Sequence, residues 1–155
     1  HLLDSQRWNL NRVTRRQIEF PIFYEGWASF SEELLFDTGF FGGQIDQMLL
    51  AKRRFWRAMR GRVDLEIHTR RRNPEEAAAL LTEFGLPTMQ ARDMVNRYIL
   101  KPGYQLAYTI GRRRFRQLYD QFRRTGREAQ AFARVVLAQG EIAFDTLALA
   151  LYQGG

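Results

Sequence analysis

Glu25 stands in the segment Phe20-Pro21-Ile22-Phe23-Tyr24-Glu25-Gly26-Trp27-Ala28-Ser29-Phe30-Ser31-Glu32, a carboxylate inside a run of aromatic and other apolar side chains. Taking such a group out of water is costly unless a cation or hydrogen-bond donors meet it. Glu32 lies seven residues further on, two helical turns away and on the same face, with Glu33 after it. Two aligned carboxylates suit a metal ligand backed by a second group that orients a histidine. An ion pair between Glu25 and an arginine of a neighbouring helix is the other reading of the same residues. Gly26 leaves room for another helix or a ligand to come close. A second pair, Asp64 and His68, is spaced four apart, so on a helix the aspartate can hold the imidazole tautomer or simply form a surface ion pair. Tyr108 follows the Pro102–Gly103 break, where its hydroxyl either enters a cleft as a donor to an oxyanion or packs in a core.

The rest of the composition narrows the chemistry. There are no cysteines, hence no disulfide, thiolate nucleophile or Cys-ligated metal. His1 and His68 are the only imidazoles, so catalysis must lean on carboxylates, tyrosines or a metal. The net charge is +7, and all but two of the 24 basic side chains are arginine, Lys52 and Lys101 being the exceptions. They bunch at Arg53–Arg54, Arg70–Arg72, Arg112–Arg114 and Arg123–Arg124. A basic surface of this kind binds phosphate backbones by counterion release, pairs with carboxylates across an interface, or is simply solvated. No aromatic–basic interleaving, zinc finger or helix-turn-helix supports nucleic acid as the partner.

The elements that must position these residues are helices. Apolar residues recur at helical spacing nearly everywhere and alternating strand patterns are absent. The end of one helix and a turn near Asn9–Asn11 come first. A helix over Pro21–Asp37 follows, stopped by Gly39 and Gly42–Gly43, then a long one from Ile45 to Thr69. The apolar side of the long helix comprises Ile45, Met48, Leu49, Phe55, Trp56, Met59, Val63 and Ile67. Asn73 caps a helix that Gly85 ends, and Thr88 caps the next, which runs to Leu100. Further helices cover Tyr104–Arg124, Glu128–Gln139 and Glu141–Tyr152. The expectation is all-α, about seven helices joined by short loops, in one helical domain of 155 residues or a fragment of a larger one. The 45% hydrophobic composition is enough to bury a core, and no apolar run is long enough for a bilayer span. The chain begins with His rather than Met, which predicts a piece of a longer protein.

The segment Phe23-Tyr24-Glu25-Gly26-Trp27-Ala28 with Glu32 resembles the signature of the bacterial DUF885 family, a family of unknown function related to the gluzincin zinc peptidases. Three other segments fit in order. His1-Leu2-Leu3-Asp4-Ser5 resembles the end of a His-Glu-x-x-Pro-Gly-His-His motif whose His-Glu part precedes this sequence. Arg60-Gly61-Arg62-Val63-Asp64-Leu65-Glu66-Ile67-His68 resembles the family's Asp-x-x-x-His helix, and Lys101 to Gly111 its Pro-Gly-x-x-x-x-Tyr-x-x-Gly segment. The resemblance implies the C-terminal part of a gluzincin-like, oligopeptidase-like helical fold. It implies zinc as cofactor, with Glu25 and His1 as metal ligands, and Glu32 and Asp64 as groups behind the ligands. It further implies His68 and Tyr108 in catalysis, with Tyr24, Tyr104 and Arg97 against a peptide substrate. Hydrolytic zinc keeps one position open for water and lowers that water's pKa.

The leading expectation is therefore part of a zinc-dependent peptidase-like hydrolase of the bacterial cytoplasm or cell envelope. Its closest partners would be peptide substrate and the remainder of the same protein. A catalytically inactive helical scaffold and a basic module holding nucleic acid or an acidic partner are the alternatives. Apolar faces left without the remainder of the protein predict homodimers of the isolated chain.

Overall fold

The computed structural model of the chain describes residues 19–153. His1, and the helix end and turn expected around Asn9–Asn11, lie outside the described residues. Among the described residues there are seven α-helices and no strand. They are α1 (Pro21–Asp37), α2 (Gln44–His68), α3 (Pro74–Glu83), α4 (Thr88–Leu100), α5 (Leu106–Arg124), α6 (Ala129–Gln139) and α7 (Phe144–Gln153). No helix among them is long and apolar enough to cross a membrane.

Local chemistry sets the boundaries. Pro21 occupies the first turn of α1, where its missing N–H would have had no helical partner. The preceding N–H, of Phe20, donates to Glu141 Oε2 at 2.9 Å. At α3 the expected cap is a full capping box: Asn73 Oδ1 accepts from Glu76 N at 2.9 Å, and Glu76 Oε2 accepts from Asn73 N at 3.0 Å. Five starts differ from the sequence reading, those of α2 and α6 by one residue (Gln44 for Ile45, Ala129 for Glu128). Thr88 is not a cap but the first residue of α4, because Pro87 already holds the extended conformation before the helix (φ −57°, ψ 138°). The fifth helix starts at Leu106 rather than Tyr104, since the N–H groups of Gly103 and Gln105 are drawn to Asp64 instead. The last starts at Phe144 rather than Glu141, whose carboxylate serves Phe20.

The chain divides into two compact units, one formed by the residues up to Gly43 together with those from Ile110 onward, the other by Gln44–Thr109. The first unit has an aromatic core. Phe23, Trp27, Phe30 and Leu34 of α1 follow helical spacing, as do Phe115, Tyr119 and Phe122 of α5, and all are buried with Phe132 and Val136 of α6 and Phe144, Leu147 and Leu151 of α7. Rings meet edge-on at Phe23–Phe115 (5.1 Å) and Phe115–Phe144 (4.9 Å) between centroids. Such pairs add about 0.5–1.5 kcal/mol each beyond their burial. The second unit is aliphatic, with Met59 and Val63 of α2 against Ala77, Ala78, Leu80 and Leu81 of α3 and Ala91, Val95 and Tyr98 of α4.

The apolar side expected along the whole of α2 is buried only in its C-terminal half. Met59 and Val63 are in the core and Trp56 and Ile67 at its edge, whereas Ile45, Met48, Leu49 and Phe55 are exposed. Length explains this. At 1.5 Å per residue, α3 and α4 are about 15 and 20 Å long and cannot cover an α2 of about 38 Å.

Candidate functional site

In the second unit, α2 carries Arg60, Asp64 and His68 one turn apart along one face. Asp64 has no exposed surface. A carboxylate there needs several donors, and they come from two directions. Oδ1 accepts from Gly103 N at 3.0 Å and Oδ2 from Gln105 N at 2.8 Å. The third donor is His68 Nδ1, 2.9 Å from Asp64 Oδ1 and 2.8 Å from the Asp64 carbonyl oxygen. Both neighbours of Nδ1 are acceptors, so Nδ1 carries the proton and Nε2 is the free position of the ring. The His68 side chain retains 27% of its surface open.

The turn that Asp64 holds is built for this task. Gly103 has φ +77°, in the left-handed region that a side chain resists. Gly61 of α2 faces the turn at ordinary contact distance: a Cβ there would sit 3.4 Å from Leu106 Cδ2 and 3.5 Å from Gln105 O. Tyr104 and Tyr108 then pack edge to face, 6.2 Å between centroids. The guanidiniums of Arg60 and Arg57 lie over the Tyr108 ring at 4.9 and 5.9 Å, and Lys101 Nζ over Tyr104 at 5.4 Å. Tyr98 of α4 is buried, and that burial pushes its phenol up to about 12 against the pull of the Arg60 and Arg97 charges. At neutral pH it is an uncharged hydroxyl.

In the first unit the segment around Glu25 forms α1. Gly26 is where another helix, α5, comes close: a Cβ at Gly26 would fall 2.5 Å from Gly111 Cα, and one at Gly111 would fall 2.6 Å from Gly26 Cα. Tyr24, Glu25 and Glu32 are each partly buried on α1. The fully enclosed carboxylate of this helix is their neighbour Glu33, 2% exposed. It pairs with Arg112 Nη1 at 2.5 Å and with Arg116 Nη2 at 2.8 Å, and Arg116 also reaches Asp37 at 2.8 Å.

A family model described as "Bacterial protein of unknown function (DUF885)" matches residues 3–151. The chain belongs to the DUF885 family. No curated protein is similar enough to the chain to count as a match. Among solved structures, this DUF885 chain is similar to "the putative lipoprotein from Colwellia psychrerythraea", with a TM-score of 0.85 and 22% identity. The similarity covers 97% of this chain and 27% of that one, so the chain spans about a quarter of the length of the structure it matches. The all-α architecture of the DUF885 segment thus matches part of a larger structure.

Two pairs of motif segments meet in this DUF885 chain. Asp64 and His68 are joined to the Pro102–Gly103 turn across 39 residues of sequence, and Gly26 meets Gly111. His68, Asp64, Tyr104 and Tyr108 therefore gather in the second unit. Glu25, Glu32 and Tyr24 lie in the first, and His1 is outside the described residues. Arg97 is exposed on α4, its Nε bonded to the Asp93 carbonyl at 3.3 Å. Among the described residues no three His, Asp or Glu side chains gather to hold a metal. Glu25 can supply one carboxylate, and the described residues alone do not make a zinc site. Arg60 and Glu33 are the residues that sequence reasoning passed over. The spacing of four from Arg60 to Asp64 is the signal for the first; for the second, Glu33 falls three residues after the buried Phe30, and so on the same face.

Proposed function

We propose that the chain is a segment of a larger peptidase-like hydrolase acting on peptides, in which the second unit presents His68 to the substrate. What carries this reading is the Asp64 clamp, a buried carboxylate that fixes one ring nitrogen of a partly open histidine and the adjoining turn with its two tyrosines. Neutral His68 offers only an acceptor at Nε2. As an imidazolium it becomes a donor there, with its charge facing Asp64. In that form it can hydrogen-bond the oxygen of a carbonyl under attack, which is where charge develops in acyl transfer. The Tyr108 ring, held in place by Arg57 and Arg60, belongs to the same unit.

The family resemblance adds a zinc ion, for which Glu25 would be the carboxylate ligand, with the other ligands outside the described residues. When bound, such an ion supplies an activated water. Nothing in the second unit's geometry depends on it.

The test is made on the full-length protein, with metal content by mass spectrometry beside peptide hydrolysis. Glu25→Ala should lose both the metal and the activity. His68→Ala should keep the metal and lose about 10²–10⁴-fold in rate, the usual worth of a positioned proton-handling group. Hydrolysis undiminished in His68→Ala would sink the proposal.

A further inference from the structure

Several partly buried arginines among the described residues end on oxygen. Arg112 and Arg116 meet Glu33, Arg72 meets Glu66, and Arg127 Nη1 donates to the Leu151 carbonyl at 2.8 Å. Arg60 is different. It is partly buried, and its Nε is shut off from solvent with no hydrogen-bond partner among the described residues. Its guanidinium rests on the face of Tyr108. A ring face attracts the charge but accepts none of the five N–H bonds in the manner of an oxygen. Asp64, one turn along the same helix, spends both oxygens on Gly103, Gln105 and His68.

Tyr98 adds to the imbalance. It is 4% exposed and its hydroxyl, too, has no partner among the described residues. The charge of Arg60 acts on that phenol, which burial keeps protonated. Among the described residues, a cationic fork and a neutral O–H donor that feels its charge thus each lack an acceptor. This is the donor set of a carboxylate site, since a guanidinium binds carboxylate through two parallel N–H···O bonds. Arg112, by contrast, is committed to Glu33, and Arg97 is exposed with its Nε on the Asp93 carbonyl.

We infer that Arg60, supported by the Tyr98 hydroxyl and held flat by Tyr108, binds a free carboxylate of the peptide ligand on the face of α2 that also carries His68. The ligand's being a peptide rests on the hydrolase reading above; the carboxylate does not.

Binding to the full-length protein is measured by calorimetry with an N-acetyl dipeptide bearing a free C-terminus and with its C-terminal amide. The acid should bind at least about tenfold more tightly, equivalent to 1.4 kcal/mol. Arg60→Gln should erase that preference, and Arg60→Lys should keep only part of it, because it retains charge but not the fork. Tyr98→Phe, which removes one oxygen from a filled space, should weaken the acid alone and stands in if Arg60→Gln does not fold. Equal binding of acid and amide by the native protein overturns the inference, as does a preference that survives Arg60→Gln. Inorganic phosphate displacing the acid at equal concentration would assign the site to a free anion, which also overturns it. The outcome separates from that of the hydrolase proposal. A protein that prefers the acid but cleaves nothing retains this site, and one that cleaves through His68 while treating acid and amide alike loses it.

Discussion

Each unit of the chain hides one carboxylate from water and satisfies it in opposite ways. Glu33, 2% exposed, is met by two guanidiniums, so its charge is cancelled by full positive charges that bridge α1 and α5. Asp64, fully buried, is met by two neutral main-chain N–H groups and one histidine. The first arrangement uses both oxygens to fasten helices. The second leaves a ring nitrogen facing outward and a turn fixed in place. Burial alone therefore does not separate a structural carboxylate from a chemical one; the identity of its donors does. This also explains why the Arg112–Arg114 cluster is a poor guide to partners, since Arg112 is already committed inside the protein.

Three measurements bear on this contrast. The largest effect should come from Gly111→Ala, because the new methyl would fall 2.6 Å from Gly26 Cα and meets backbone that cannot swing aside. A loss of at least about 3 kcal/mol is expected in urea unfolding. It would remove the close approach of α1 and α5 on which the Glu33 pairing depends; an unchanged midpoint would mean that the helices need no such closeness. Next, Glu33→Gln and Asp64→Asn should diverge. Glu33→Gln leaves two arginines, each about a third open, without their anion, costing about 2 kcal/mol after allowance for solvent. Any surviving folded protein should keep its hydrolytic rate. Asp64→Asn should cost about 1–2 kcal/mol and lower the rate by about 10²-fold or more. If both variants depress the rate equally when fully folded, the contrast between the two carboxylates is broken.

The smallest effect is confined to high pH. Burial raises Tyr98 from 10.0 to about 12, so the folded protein keeps a proton that the unfolded chain releases. Tyr98 thus contributes stability that is complete below pH 10 and is lost as the pH climbs from 10 toward about 12. Stability against pH should fall less steeply over that window in Tyr98→Phe than in the native protein. Parallel curves would show that the phenol is not buried as described.

Much of the fold was legible because helical periodicity and caps are local signals. Pro21, Asn73 and Gly85 sit where their backbone preferences place them. The starts of α4, α5 and α7 were missed for non-local or backbone reasons: Gln105 N answers to a residue of α2, Glu141 serves Phe20, and Pro87 takes the cap from Thr88. Periodicity marks an apolar face but not how far a partner extends along it, which is why Ile45, Met48 and Leu49 lie on the apolar side of α2 and are nonetheless exposed. In the candidate site, the spacing of four between Asp64 and His68 made a contact between them legible, and the two are bonded. Neither composition nor spacing reveals that Arg60 has no carboxylate to pair with, because that depends on where all the other carboxylates have gone. Likewise, the packing of Gly26 against a helix follows only once Gly111 is brought to it.

Asp64 grips its turn through amide hydrogens, and amide hydrogens are common to every residue except proline. The clamp is therefore blind to what side chain stands at positions 104 and 105. Those two places can be recast, in nature or by design, without loosening the histidine they adjoin. A rigid frame thus carries an interchangeable face, and the range of ligands can drift while the orientation of His68 is inherited intact.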